Sequence, residues 1–436
     1  MMAAIAFTPI DLSRHADLCM QFRRDAMICS FVDGAQRFER DDSGCYLDWL
    51  KQQIKKWPEG CVHVFKEDSI VGQIEMRQIS SSQGYIHLFY LIPELRGQGL
   101  GDRLHQYALQ TCQQRGLQRV QLACSPTNQR AMAFYQKHGW RDVGVKPGYT
   151  DIRLLARPVD DYTQQVIVLY SRRTDYDTEP GTTHPAKAQR LLDSVPLAAG
   201  QSILDIATGT GLVAIPAAQR VGPTGRVVAV DLTPAMLDQA REKIAVLKLS
   251  NLKLIEANAE TIDFAKHQFD AVFCCEALVL FQNVLASLQK WHRWLKPGGY
   301  VAFTCPQEDA YLSAIYKHAC AGLPDPLTHL LEPLGTAERC RQLLALAGFV
   351  DIEVESEASS RSLSPENFSV RNRADAAKLR ESLMLSFKGH PQIRALSSEQ
   401  FTQVQQRYQT AVDALLAEPD SRENTTTFFV RARVPV

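Results

Sequence analysis

A chain of 436 residues is longer than one hydrophobic core usually grows, so two domains of ordinary size are expected. Hydrophobic residues at 45%, charged residues at 22% and a formal net charge of zero suit a globular protein without the basic field that nucleic-acid binding needs. No apolar run is long enough to span a bilayer and residues 1–7 lack the layout of a secretion signal, so a cytoplasmic protein is expected. The eleven cysteines are scattered with no C-x-x-C pair, and the eleven histidines form no H-x-x-x-H group. Reduced thiols and no metal site are the expectation.

In chain order, residues 5–9 read as a strand, and residues 60–65 and 69–77 as two strands joined at Glu67 and Asp68, from their β-branched and aromatic residues. Residues 84–92 read as another strand, halted by Pro93. A helix follows over 102–114, with Leu104, Ala108 and Cys112 on one face and Gly116 as its stop. Residues 158–180 read as polar and irregular around a short apolar run, which places a seam near residue 160. The spans are 1–158 for a first domain, 159–180 for a linker and entry segment and 181–436 for a second, with residues 176–185 expected on the substrate side. Beyond the seam, strands (202–207, 226–230, 252–256, 271–275, 300–305) alternate with helices, the mark of a parallel doubly wound sheet. Residues 357–423 read as polar helices, a cover inserted before a last strand at 425–434.

The first chemical motif is the glycine-rich turn after Pro93. Main-chain N–H groups from Arg96 to Gly101, the following helix N-terminus and the Arg96 charge make an anion nest suited to a diphosphate. The pattern R-x-x-G-x-G (Arg96, Gly99, Gly101), together with N-x-x-A-x-x-F-Y-x-K-x-G-W (Asn128 to Trp140), resembles the GNAT acetyltransferase superfamily. That resemblance implies a mixed α+β domain with a splayed sheet and acetyl-CoA held by Leu91, Arg96, Gly97, Gln98, Gly99, Leu100 and Gly101. It also implies Asn128 on the pantetheine, Tyr135 as the acid that protonates departing CoA, and N–H groups near Tyr90 and Leu91 for the thioester carbonyl. An acceptor amine must lose a proton, and Glu75 and His87 lie on the strands before the nest as candidate bases. The bland alternatives are a surface ion pair for Glu75, a sheet-face ring for His87 and core packing for Tyr135.

The second motif is an apolar strand running into D-I-A-T-G-T-G (residues 205–211). Gly209 and Gly211 permit a tight turn, and Asp231 ends the next strand 231 − 211 = 20 residues on, the interval at which a carboxylate meets a ribose. The G-x-G-x-x-G spacing of dinucleotide enzymes is absent, which argues against an oxidoreductase. With V-D-L-T-P-A-M-L (230–237), Asn258-Ala259-Glu260, F-D-A-V-F (269–273) and L-K-P-G-G (295–299), the segment resembles class I S-adenosylmethionine-dependent methyltransferases, which have a Rossmann-like fold. The resemblance implies that Ala207, Thr208, Gly209 and Gly211 hold the methionine part of S-adenosylmethionine and that Asp205 supports the loop. Asp231 would bind the ribose, Leu232 and Met236 would pack on the adenine, and Asn258 and Ala259 would meet its polar edge. Cys274 to Glu276 would face the methionine amine and the substrate mouth. His184 or Glu276 is the candidate base for a protonated acceptor, against a capping role for His184.

The expectation is a bifunctional transferase: an N-acetyltransferase joined to a methyltransferase acting on a small molecule, without nucleic-acid or membrane partners. The rival is a methyltransferase whose first domain only binds acyl-CoA or a partner.

Overall fold

The structure, a computed structural model, describes residues 5–40, 43–178, 182–310, 313–323, 334–362, 396–417 and 422–436. It divides into two compact units, Met1–Gln165 and Val166–Val436.

The first unit runs β1 (Ile5–Pro9), α1 (Leu12–Ser30), α2 (Gly34–Arg40), α3 (Ser43–Lys56), β2 (Cys61–Lys66), β3 (Ser69–Gln78), β4 (Gln83–Leu91), α4 (Leu100–Gln114), β5 (Arg119–Cys124), α5 (Gln129–Lys137), β6 (Arg141–Val145) and β7 (Arg153–Pro158). These strands form one mixed sheet in the order β1-β2-β3-β4-β5-β7-β6. β4 and β5 are parallel and pair only from Gln83↔Arg119 to Ile86↔Leu122, after which β4 continues to Leu91 paired with β3 but not with β5. This is the splay the sequence implies. On its other side β4 pairs Leu88 with Glu75 and Ile86 with Met76, so His87 is an extra residue. A bulge of this kind re-aims a side chain. It sends His87 towards α3, where that ring meets Trp49 as well as Tyr85, while Ile86 and Leu91 join the core with Leu104. The predicted α4 face, Leu104, Ala108 and Cys112, is buried against Ile74, Met76 and Leu122.

The segment read as an irregular linker contains a helix, α6 (Asp161–Ser171). Asp160 caps it by accepting from the Thr163 N–H at 2.7 Å, and Tyr162, Val166 and Ile167 form its buried stripe. The polar run Thr163-Gln164-Gln165 hid that period.

The second unit contains α7 (His184–Asp193), β8 (Ser202–Ile206), α8 (Ala214–Val221), β9 (Arg226–Asp231), α9 (Pro234–Leu247), β10 (Leu252–Glu256), β11 (Phe269–Cys274), α10 (Val284–Trp294), β12 (Leu295–Pro306), α11 (Ser313–Cys320), α12 (Ala337–Leu346), β13 (Val350–Glu357), β14 (Ser360–Ser362), α13 (Ser398–Ala417), β15 (Arg422–Asn424) and β16 (Thr427–Arg433). Its Rossmann-like sheet has the order β10-β9-β8-β11-β12-β16-β13, helices covering both faces. The sheet departs from a fully parallel one at β16, which runs antiparallel to both neighbours. β16 follows the ribbon β14–β15 rather than a helical crossover, so it enters from the other end.

The cover expected as helices over 357–423 begins and ends differently. Glu357 belongs to β13, and β14 pairs with β15 as an antiparallel ribbon, Ser360↔Asn424. α13 is the described helix of the cover and packs on α11. Residues 363–395 and 418–421 lie outside the described residues. No described helix is long and apolar enough to cross a membrane.

Candidate active sites

In the second unit, the parallel strands β8, β9 and β11 end on one edge, where doubly wound sheets hold ligands. Two non-glycine residues there sit at positive φ, Ala207 (54°) after β8 and Glu276 (56°) after β11. Such strain concentrates at functional sites. Gly211 has φ 85°, and a Cβ there would stand 2.9 Å from Ile215 Cδ1, so the turn and the close packing of α8 both require glycine. Thr208 donates to Asp205 Oδ2 at 2.6 Å. The Gly209 and Thr233 N–H groups donate to the two oxygens of Asp231, each at 2.7 Å. Burial pushes the carboxyl of Asp205 up to about 7, against the Thr208 hydrogen bond, and raises that of Asp231 as well.

The other candidate cofactor residues fall around this loop with unequal access. Leu232 is half-buried, whereas Met236 is only 2% exposed and presents little surface to an adenine. Asn258 Oδ1 accepts from the Glu260 N–H at 2.9 Å, and Ala259 packs on the core. Cys274 is fully buried, paired in register with Ile206 and Phe303, and its thiol is held far above the ordinary range. Its main chain alone can face a ligand.

The candidate bases converge on Tyr176, the first residue of the 176–185 segment expected on the substrate side, to which no individual role was assigned. Tyr176 stacks on His184 with ring centroids 4.6 Å apart and feels the charge of Glu276. Glu276 makes a buried ion pair with Lys187 at 2.8 Å. Next to Tyr176, Asp177 accepts from the Thr210 hydroxyl at 2.5 Å and pairs with Lys243, strapping this segment to the glycine loop. Tyr176, Asp177 and Lys187 lie in a stretch with no motif and no clear period, so only the folded chain brings them together.

In the first unit, Gly97 (φ 79°) and Gly99 (φ 81°) form the turn, and Gly99 is the N-cap of α4. Leu100 starts the helix, and a Cβ on Gly101 would lie 3.1 Å from the Phe134 ring, so this glycine lets α4 approach α5. The side chains of the turn fold away from it. Arg96 Nε donates to the Leu91 carbonyl at 2.7 Å and its Nη1 to Cys29, while Gln98 donates to the Glu94 carbonyl. Contrary to the expectation for Arg96, the cation beside Gly97 is Arg130, whose Nη2 would be 3.5 Å from a Cβ there. Arg130 lies inside the Asn128–Trp140 motif at a variable position, which is why it escaped notice.

Asn128 is the N-cap of α5, accepting from the Ala131 N–H at 3.1 Å and donating to Ser30 at 3.2 Å. Tyr135 is 8% exposed, packed edge-on against Phe134 and Trp140, and burial raises its hydroxyl so that it stays protonated. Glu75 is not at the surface. It is 1% exposed and accepts from the Tyr46 hydroxyl at 2.5 Å and Gln73 Nε2 at 2.6 Å, and desolvation raises its carboxyl. Direct contact with a substrate is therefore closed to it. His87 is exposed, tilted against Trp49 (4.4 Å) and Tyr85 (4.7 Å). Crowding by those neighbours, then the charges of Arg77, Lys146 and Arg23, lowers its basicity and keeps the ring neutral. Of the two candidate bases, the structure exposes only this one.

Comparison with known proteins follows the same division. Residues 21–140 match the acetyltransferase (GNAT) family and residues 203–299 match a methyltransferase domain family. Aklanonic acid methyltransferase DauC of Streptomyces sp. (strain C5) is 30% identical over 146 residues, 33% of this chain and 66% of that protein. Nocamycin O-methyltransferase of Saccharothrix syringae is 29% identical over 196 residues, 41% of this chain and 70% of its own. The ubiquinone/menaquinone biosynthesis C-methyltransferase UbiE of Coxiella burnetii is 40% identical over 106 residues, 24% of this chain and 42% of its own. Among solved structures, a putative methyltransferase from Bacillus halodurans C-125 aligns with TM-score 0.40 and 20% identity, covering 58% of this chain and 100% of that one.

Proposed function

We propose that this chain, which carries a GNAT-family domain at residues 21–140 and a methyltransferase domain at 203–299, is a bifunctional transferase. Its second unit methylates a small molecule from S-adenosylmethionine, and its first acetylates an amine from acetyl-CoA. The observation that carries the reading is that each unit builds a glycine turn at positive φ leading into a helix, at the end of a sheet strand. Both cradles fit their cofactors. A Cβ on Gly209 would meet nothing within 4 Å, leaving room beside the Asp231 carboxylate for a ribose and a cationic methionine end. The turn before α4 offers main-chain N–H groups and Arg130 to a diphosphate.

S-adenosylmethionine supplies an activated methyl group, so the protein's task is alignment and exclusion of water. Tyr176 and the Asp177 strap roof the glycine loop for that purpose. His184 is the better placed base, because Lys187 holds Glu276 in an ion pair. The relatives named above include an O- and a C-methyltransferase, so the acceptor atom is left open. In the first unit, the amine gives up its proton through water held at the exposed, neutral His87 ring, and protonated Tyr135 supplies one to the leaving thiolate. Main-chain groups of β4 beyond Ile86, unpaired by β5, polarise the thioester carbonyl. The protein works in the cytoplasm with small molecules as its partners.

One observation favours the rival, a first unit that binds without catalysing: Arg96 is turned back onto Leu91. Calorimetric titration of the full chain with acetyl-CoA and S-adenosylhomocysteine, alone and together, tests both readings. Two independent sites are expected, the first lost in Gly99→Trp, with CoA released only when an amine is added. Binding without release in a broad amine screen would leave the rival, and no acetyl-CoA binding would overturn the acetyltransferase and reduce the first unit to an interaction module.

A further inference from the structure

The recess around His87 carries two positive charges that the chemistry of acetyl transfer does not use. Arg77 stands opposite Tyr85 in the β3–β4 ladder, with its guanidinium carbon 5.5 Å from the Tyr85 ring centroid. Its Nε is buried and has no hydrogen-bond acceptor. Lys146, following β6, holds its ammonium 4.4 Å from the centroid of the Tyr149 ring. No described carboxylate pairs with Arg77 or Lys146. Desolvation and the Arg77 charge both disfavour the charged form of Lys146, and both cations weigh on His87. The Trp49 and Tyr85 rings both lie against that histidine.

An unpaired, half-buried arginine beside a lysine is an unfavourable arrangement until an anion joins it. In the same unit Arg153 meets Asp142 and Arg157 meets Asp161, and Arg96, which lies over the Tyr90 ring, has the Leu91 carbonyl and Cys29 as acceptors. Arg77 and Lys146 have instead been left with aromatic faces and each other. A guanidinium binds a carboxylate through two parallel hydrogen bonds, and the rings of Trp49, Tyr85 and Tyr149 suit a planar body.

We propose that Arg77 and Lys146 form a carboxylate-binding subsite of the acceptor recess, so that the amine acetylated by the first unit belongs to an aromatic acid. This rests on the acetyltransferase reading. The anion is held on the cationic side of the recess, and the aromatic body lies against Trp49 and Tyr85. The amine is left to face His87.

The test compares matched amines that differ by one carboxylate: tryptophan with tryptamine, phenylalanine with phenethylamine, and para-(aminomethyl)benzoate with benzylamine. Release of CoA from acetyl-CoA is followed with the full chain. The acid is expected to exceed its partner by about tenfold in kcat/KM in at least one pair. Arg77→Met should remove that preference, raising KM for the acid about tenfold relative to its carboxylate-free partner, while any change in kcat through the nearby His87 ring is shared by both. Lys146→Met, at a half-exposed site outside the sheet, should act in the same direction to a smaller extent if Arg77→Met fails to fold. Equal use of acid and amine, or a preference that survives in the variants, overturns the subsite.

If no amine is acetylated, calorimetry with N-acetyltryptophan and N-acetyltryptamine separates the two ideas. Acid-selective binding lost in Arg77→Met upholds the subsite while the acetyltransferase reading falls. Absence of acid-selective binding overturns the subsite as well.

Discussion

The glycine loop after β8 and the glycine turn before α4 have similar shapes and opposite wiring. In the first, two carboxylates are drawn in: Asp231 accepts from Gly209 and Thr233, and Asp205 from Thr208. In the second, no carboxylate hydrogen-bonds the turn among the described residues, its polar side chains fold back onto strand and loop carbonyls, and an arginine stands beside it. A sulfonium and an amine call for negative charge close by, whereas a diphosphate is repelled by it. On the proposed assignment, the wiring around each turn would match the sign of its ligand, while the turn itself supplies only room and N–H groups.

The largest effects should come from reversing that wiring. Asp231→Ala removes the acceptor of two main-chain N–H groups and the charge facing the ligand, and should weaken S-adenosylhomocysteine by on the order of 100-fold. Gly97→Asp places a carboxylate in the other turn and should weaken acetyl-CoA by on the order of 100-fold. Gly97→Asn, equal in size and tolerant of positive φ, separates charge from strain and should cost far less. Calorimetry on the full chain reads all three. If the asparagine and aspartate variants bind acetyl-CoA alike, the charge rule is wrong for that turn.

Both cradles were legible in the sequence because each is contiguous: a strand, a glycine turn and a helix within a dozen residues of chain. The splay of β4 from β5 was legible through the motifs on either side of it. The acceptor recess proposed for the first unit was legible only at His87. Trp49, Arg77, His87 and Lys146 come from four separate elements or loops, and a bulge at His87 that leaves no composition signal turns that ring towards α3. Glu75 shows the same gap in reverse. Its strand position suggested a base or else a surface ion pair, but β3 is covered on that face by Tyr46 of α3, which seals the carboxylate inside. The polar run in α6 and the antiparallel return of β16 were missed because cap geometry and connection direction are settled by tertiary packing.

A middle-sized effect follows from the carboxylates of the β8 loop. Asp205 titrates near 7 in the folded chain against 3.8 when unperturbed, so between those values the folded state holds more protons than the unfolded one. Its contribution is therefore most favourable below about pH 4 and is lost as pH rises through 7, by roughly a few kcal/mol. Asp231 shifts in the same direction and adds to the slope. Asp205→Asn keeps an acceptor for Thr208 without a titrating proton, so it should flatten the decline between pH 4 and 7. Urea unfolding of the full chain, read by pulsed hydrogen exchange at β8 and β11, measures this. An unchanged slope would mean that Asp205 is ionised throughout.

The smallest effect sharpens the contrast where the two demands meet in one side chain. Asn128 caps α5 and sits in the motif attributed to acyl-CoA binding. Asn128→Ala removes the cap and should cost about 1 kcal/mol of stability. Asn128→Asp keeps the cap, since aspartate is as good an acceptor for the Ala131 N–H, and gives up only the donor to Ser30. Its melting temperature should stay close to that of the parent. Its new charge lies on the side of the molecule that receives an anion, so acetyl-CoA affinity should fall by about threefold at low salt and recover as salt is added. A salt-independent loss would instead trace the effect to the amide donor, making Asn128 a direct contact of the pantetheine and the exclusion of carboxylates a property of the glycine turn alone.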